Sequence, residues 1–85
     1  MQPFDPSTIV HRPEAGCFEV ALDGGNGLCA YRRQGDVLLL THTEVPPRHE
    51  GRGIAAALVQ ATLDWARAEG LRVRPMCSYV AVYMR

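Results

Sequence analysis

The sequence predicts a mixed α/β fold: an antiparallel meander, a β-α-β crossover and a terminal helix. Three observations carry this prediction. Apolar runs between residues 17 and 45 are broken by two glycine-containing turns. A helical repeat fills Ile54 to Ala68. A further short apolar run follows that helix, so the strands before and after it can lie parallel and adjacent, with a right-handed connection.

Each element has its own signature. Met1 to Ala15 holds Pro3, Pro6 and Pro13 and no repeating pattern, which predicts a loose N-terminal arm over 1–15, with Ile9-Val10 as its one place for a short strand. Cys17 to Leu22 alternates around Glu19 and reads as the first strand of the meander. Asp23-Gly24-Gly25-Asn26-Gly27 reads as a turn. Leu28 to Arg33 is the second strand, and Gln34-Gly35-Asp36 the second turn. Val37 to Val45, with four consecutive aliphatic residues, is expected to be internal and buried on both faces. In the helix, Ile54, Leu58, Ala61, Trp65 and Ala68 share one face, and Gln60, Asp64 and Arg67 form the polar stripe. Gly70 closes it. Leu71 to Cys77 is the fourth strand, with Pro75 at an edge or where pairing stops. Ser78 is expected to cap a final helix carrying Tyr79, Val80, Val82 and Tyr83.

The chain of 85 residues predicts one domain over 1–85, thinly stabilised for its size. Nine basic and nine acidic side chains give zero formal charge, which argues against nucleic acid as a partner. Cys17, Cys29 and Cys77 are odd in number and show neither Cys-x-x-Cys nor metal-ligand spacing, so no metal is expected and a reducing compartment is. The N-terminus lacks the apolar core of a signal peptide or anchor. The expectation is a cytoplasmic protein without a membrane partner.

The segment richest in chemistry is Arg48-His49-Glu50-Gly51-Arg52-Gly53, set between the third strand and the long helix. No Ser, Thr, Asp or Asn lies from Arg48 to Ile54 to cap the helix. The first-turn N–H groups therefore need another partner, and an anion suits them. The spacing excludes the P-loop and the three-glycine dinucleotide fingerprint. A tight loop whose glycines only serve the turn is the competing reading.

Arg48, Gly51 and Gly53 stand at the spacing Gln or Arg, two residues, Gly, one residue, Gly or Ala. Alongside them are Tyr31, His42-Thr43-Glu44-Val45-Pro46, Gly51-Arg52-Gly53-Ile54-Ala55 and Pro75-Met76-Cys77-Ser78-Tyr79. On these motifs the chain resembles a small single-domain branch of the GNAT N-acetyltransferase superfamily, from about Cys17 to Tyr83. The resemblance implies a minimal GNAT acyl-CoA N-acyltransferase fold and acetyl-CoA (coenzyme A) as cofactor. It places the pyrophosphate on N–H groups from His49 through Glu50, Gly51, Arg52, Gly53 and Ile54 to Ala55, with Arg48 and Arg52 adding charge. The pantetheine arm would run between the third and fourth strands, pairing with backbone near Thr43 and Val45. Acetyl transfer would go to an unidentified amine, small molecule, peptide or protein, with backbone N–H near Val45 steadying the developing oxyanion. Two departures stand out: the helices that roof the acceptor site in larger members are missing, and the terminal helix is shorter than in the small branch.

Cys77, just before the final helix, is the candidate catalytic nucleophile; the alternatives are a pocket wall or direct attack by the amine. His42 and Glu44 share a strand face and are candidate bases or surface hydrogen bonders. Tyr83 falls near the tyrosine that larger members use as an acid, or simply packs. A non-enzymatic CoA-binding module and a small interaction domain using its sheet edges are the alternatives to an enzyme.

Overall fold

The computed structural model describes residues 4–85; the first three residues of the predicted arm lie outside the described residues. Five strands form one sheet in the order β1 (Val10–Arg12), β2 (Cys17–Leu22), β3 (Gly25–Gln34), β4 (Val37–Glu44) and β5 (Arg72–Pro75). β1 to β4 pair antiparallel in succession and β5 joins β4 in parallel. The crossover between them contains α1 (Ile54–Ala68), and α2 (Ser78–Tyr83) follows β5. The meander, the crossover and the edge position of Pro75 are as the sequence predicts.

The arm is not loose where it is described. Val10–Arg12 pairs with β2, and single 3-10 turns cover Pro6–Thr8 and Pro13–Ala15. Asp5 caps the first turn by accepting from the Ser7 N–H at 3.0 Å. Arg12 Nε reaches Glu19 Oε1 at 2.6 Å. Three residues are too few to show a period of two, so the edge of β2, not the local pattern, makes this strand.

The first turn is also shorter than expected. Leu22 pairs with Gly25, so only Asp23 and Gly24 turn, and β3 starts at Gly25 rather than Leu28. Gly27 lies inside the ladder opposite Val20, and α1 comes close to it: a Cβ there would meet Leu58 Cδ1 and Val20 Cγ1 at 3.3 Å.

β4 is internal, but it is buried on one face only. Leu38 and Leu40 are inaccessible, whereas Val37 and Leu39 are partly exposed on the other side. The reason is that the helices cover a single face. The whole molecule is only 17 Å deep along its shortest axis, about the depth of one helix layer on one sheet.

Within α1 the buried stripe is Ile54, Leu58, Val59, Thr62 and Ala66, rotated slightly from the predicted one; Ala68 is exposed. Thr62 can occupy the core because its hydroxyl donates to the Leu58 carbonyl at 2.8 Å. Gly70 ends the helix with φ 70, and Leu71 N–H returns to the Ala66 carbonyl at 2.9 Å, a Schellman closure. Ser78 is the first residue of α2, not its cap; Cys77 occupies the cap position with extended backbone.

Candidate functional site

The site is built where β4 hands over to α1. β4 pairs with β3 out of step at one point: Ala30 faces His42 while the next residue, Tyr31, faces Leu40, so Thr41 is an extra residue. This bulge changes which side chains face the helices. Upstream, Leu38 and Leu40 point to them. Downstream, Thr43 does, with its hydroxyl 4.0 Å from the buried Cys29 thiol, and Val45 packs on the core. His42 and Glu44 instead share the open face, 3.6 Å apart and well exposed, as their common parity predicts.

β5 stops early beside this stretch. Its last pair is Leu40 with Pro75, and the Leu40 carbonyl then accepts from both Met76 N–H (2.9 Å) and Cys77 N–H (3.2 Å). Thr41 to Glu44 run on with no parallel neighbour. The two strands thus diverge at the mouth of the site.

The connection after β4 turns once through Pro47–His49 and reaches α1 through Gly51 and Gly53, both left-handed, with φ 82 and 78. A side chain is disfavoured in that region by roughly 1–2 kcal/mol. Nothing lies within 4 Å of a Cβ built on either glycine, so each backbone faces open space. Gly53 is the N-cap of α1, and no side chain caps the helix. The first turn of a 15-residue helix therefore offers uncapped N–H groups and the positive end of its dipole.

These groups open on a cleft of about 430 Å³. Eight of the ten predicted cofactor residues line it: Thr43, Val45, His49, Glu50, Gly51, Gly53, Ile54 and Ala55. Arg48 and Arg52 do not. Arg48 turns back over the first hairpin, against Gly24 and 3.5 Å from Asp23 Oδ2. Arg52 Nη1 meets His49 Nδ1 at 2.6 Å, and His49 Nε2 meets the Asp23 carbonyl oxygen at 2.7 Å. Glycine spacing locates the loop backbone, but long side chains choose partners that a motif does not specify.

Ala56 and Tyr79 complete the lining, and sequence reasoning singled out neither for it. Tyr79 faces the cleft and stacks on Tyr83 at 6.4 Å between centroids, while Tyr83 Oη donates to Gln60 Oε1 on α1. The four-residue spacing of the two tyrosines puts both on one helix face.

Cys77 stands just outside the lining, against Thr43. Burial would raise its thiol, but N–H groups of Val80 and Tyr79, together with Thr43, outweigh it and leave the pKa below the ordinary 9.0. Burial pushes the Cys29 and Cys17 thiols the other way.

A strand-bulge-splay followed by a glycine loop on a helix N-terminus defines a class of protein. Residues 17–85 match the GCN5-related N-acetyl-transferase family, and the chain belongs to it. Among individual proteins it is similar to Protein NATD1 of Mus musculus, 34% identical over 83 residues, covering 94% of this chain and 76% of that one. Protein NATD1 of Homo sapiens is also 34% identical, with 94% and 74% covered. That of Xenopus tropicalis is 32% identical over 88 residues, with 100% and 81% covered.

Proposed function

We propose that this chain binds acetyl-CoA in the cleft and transfers the acetyl group to an amine. One observation carries the reading: left-handed Gly51 and Gly53 open the uncapped N-terminus of α1 onto the cleft. An anion with several oxygens suits that backbone, and a pyrophosphate is such a group. Gly51, Gly53, Ile54 and Ala55 would hold it through their N–H groups. The open side of β4 at Thr43 and Val45 would pair with an extended amide-bearing arm. When bound, the cofactor supplies an acetyl thioester.

The remaining chemistry belongs to the chain. Cys77 is the candidate nucleophile, because its lowered pKa raises the thiolate share near neutrality. Tyr79, with its pKa raised by burial and by Tyr83, keeps its phenol proton at neutral pH and can donate it into the cleft. Arg48 and Arg52 contribute field rather than contact.

The test is native mass spectrometry of the purified chain with acetyl-CoA, followed by transfer assays on a panel of amines. Retained cofactor and acetylated amine are expected. Retained cofactor without transfer would make the chain a binding module, and no retention would remove the reading. Rapid acid quench and peptide mapping then report whether acetyl accumulates on Cys77.

A further inference from the structure

Both helices lie on one face of the sheet. Phe18 and Tyr31 meet Trp65 of α1 there, and Tyr83 of α2 bonds to Gln60 of α1. No helix covers the opposite face among the described residues. Strand register arranges that face in transverse rows. Glu19, Leu28 and Glu44 form one row across β2, β3 and β4. Ala30 and His42 form the next, beside the buried Cys17. Arg32, Leu39 and Arg74 form the third, across β3, β4 and β5. The face is thus acidic at one end of the strands and basic at the other, with half-buried Ala30 and exposed His42 between. At the acidic end Arg12 holds one oxygen of Glu19, and His42 stands 3.6 Å from Glu44. At the basic end Arg32, Arg72 and Arg74 make no ion pair among the described residues.

We propose that a second copy of this chain packs on this open face, related by a two-fold axis that crosses the strands over Ala30. Rows lie about 6.8 Å apart along the strands, two residues per row. A two-fold axis through the middle row therefore sets the acidic row of one copy over the basic row of the other. Glu44 lies on β4 and keeps its lateral place under this operation. It falls opposite Leu39 of the second copy, between Arg32 and Arg74, which flank that residue at about 4.8 Å to either side. Each copy supplies this arrangement once, so the contact is self-complementary. Ala30 and His42 both lie on the axis, so Ala30 leaves room for the sheets to approach while each His42 stands over its counterpart in the second copy, and Leu28 and Leu39 fill the space beside them. An axis along the strands would instead set arginine over arginine, so charge selects one orientation. The patch measures roughly 20 Å on a side, which places the dimer among small, concentration-dependent interfaces. This inference does not depend on the proposed enzymatic function.

Sedimentation velocity over a wide concentration range tests it. The wild-type chain should show a monomer–dimer equilibrium that weakens with added salt. The Arg32→Glu/Arg74→Glu variant and the Glu44→Arg variant should each dimerise at least about tenfold more weakly. Mixing these two should restore a dimer, since each then offers what the other lacks. These residues are outside the core, and circular dichroism verifies that each variant is folded. A wild-type chain that stays monomeric at every concentration overturns the proposal and assigns the face to another partner. So does a dimer indifferent to the substitutions, or a mixture of folded variants that remains monomeric.

Discussion

The imidazole of His11 lies flat on the ring of Phe18, centroids 4.2 Å apart and planes within 4°. Its Nε2 meets Tyr31 Oη at 2.6 Å and its ring tilts against Trp65 at 4.6 Å. The three-residue strand β1 is thereby tied to β2, β3 and α1 at once.

This cluster makes stability depend on pH. Burial lowers the His11 pKa below 6.5, against a weaker opposing pull from Glu14. Between the folded and unfolded values the unfolded chain binds more protons. The contribution is therefore complete above the unfolded pKa and is lost as pH falls through the folded one. Thermal melts should show lower stability at about pH 5 than at about pH 7.5, and Tyr31→Phe should lose about 1 kcal/mol at the higher pH. Equal losses at both pH values would mean that the Tyr31 hydroxyl is not read by His11.

The loop glycines are held by conformation and not by crowding, since both face open space. Gly51→Val should leave a folded chain with stability reduced by roughly 1–2 kcal/mol. Its affinity for CoA should fall at least about tenfold, because a branched side chain fills the approach to the backbone. Calorimetric titration, with a melting curve as control, decides this; unchanged affinity in a folded variant would end the loop reading.

Arg48 is largely solvated and points toward Asp23, so Arg48→Ala should weaken CoA binding by less than about threefold and flatten its salt dependence. A loss as large as that of Gly51→Val would show that Arg48 swings onto the ligand.

The three cysteines should separate by reactivity. Cys77 is partly exposed with a lowered pKa; Cys17 and Cys29 are buried with raised ones. Alkylation with iodoacetamide, followed by peptide mapping, should modify Cys77 first, with a rate midpoint below 9.0. Equal rates at all three would deny Cys77 its special setting.

Gly27→Ala tests the packing of α1 on the sheet. The added methyl meets two fully packed side-chain ends, Leu58 and Val20, and should cost about 1–2 kcal/mol in urea unfolding.

Much of this architecture is legible in the residues. The apolar repeat locates Ile54–Ala68 at its observed ends, Gly70 marks the closure, and the crossover follows from a strand on either side. The glycine spacing places the loop on a helix N-terminus beside a cleft. What periodicity misses has physical causes. β1 is a strand only because β2 offers it an edge. Gly25-Asn26-Gly27 has turn composition, yet all three pair with β2, and Gly27 is short of room for a Cβ because Leu58 of α1 packs against it. Ser78 has the chemistry of a cap but lies one residue late. Arg48 and Arg52 fit a phosphate motif, while their observed partners come from a hairpin distant in sequence and from His49.

Thr41 acts as a phase shifter. Before it, even-numbered residues of β4 belong to the core; after it, odd-numbered ones do. One strand can thereby serve two masters, holding the hydrophobic layer with its first half and presenting Thr43 and Val45 to the cleft with its second. Deleting that single residue would close the bulge without turning either half: Leu40 would still pair with Tyr31 and His42 with Ala30, and Thr43 and Val45 would still face the helices. A ladder that instead took Thr41 into register opposite Ala30 would turn His42 and Glu44 inward and Thr43 and Val45 out to solvent, leaving the cleft wall inside out while the sheet kept its pairing upstream. The orientation of the cleft wall therefore rests on one residue staying outside the ladder, whatever side chain it carries.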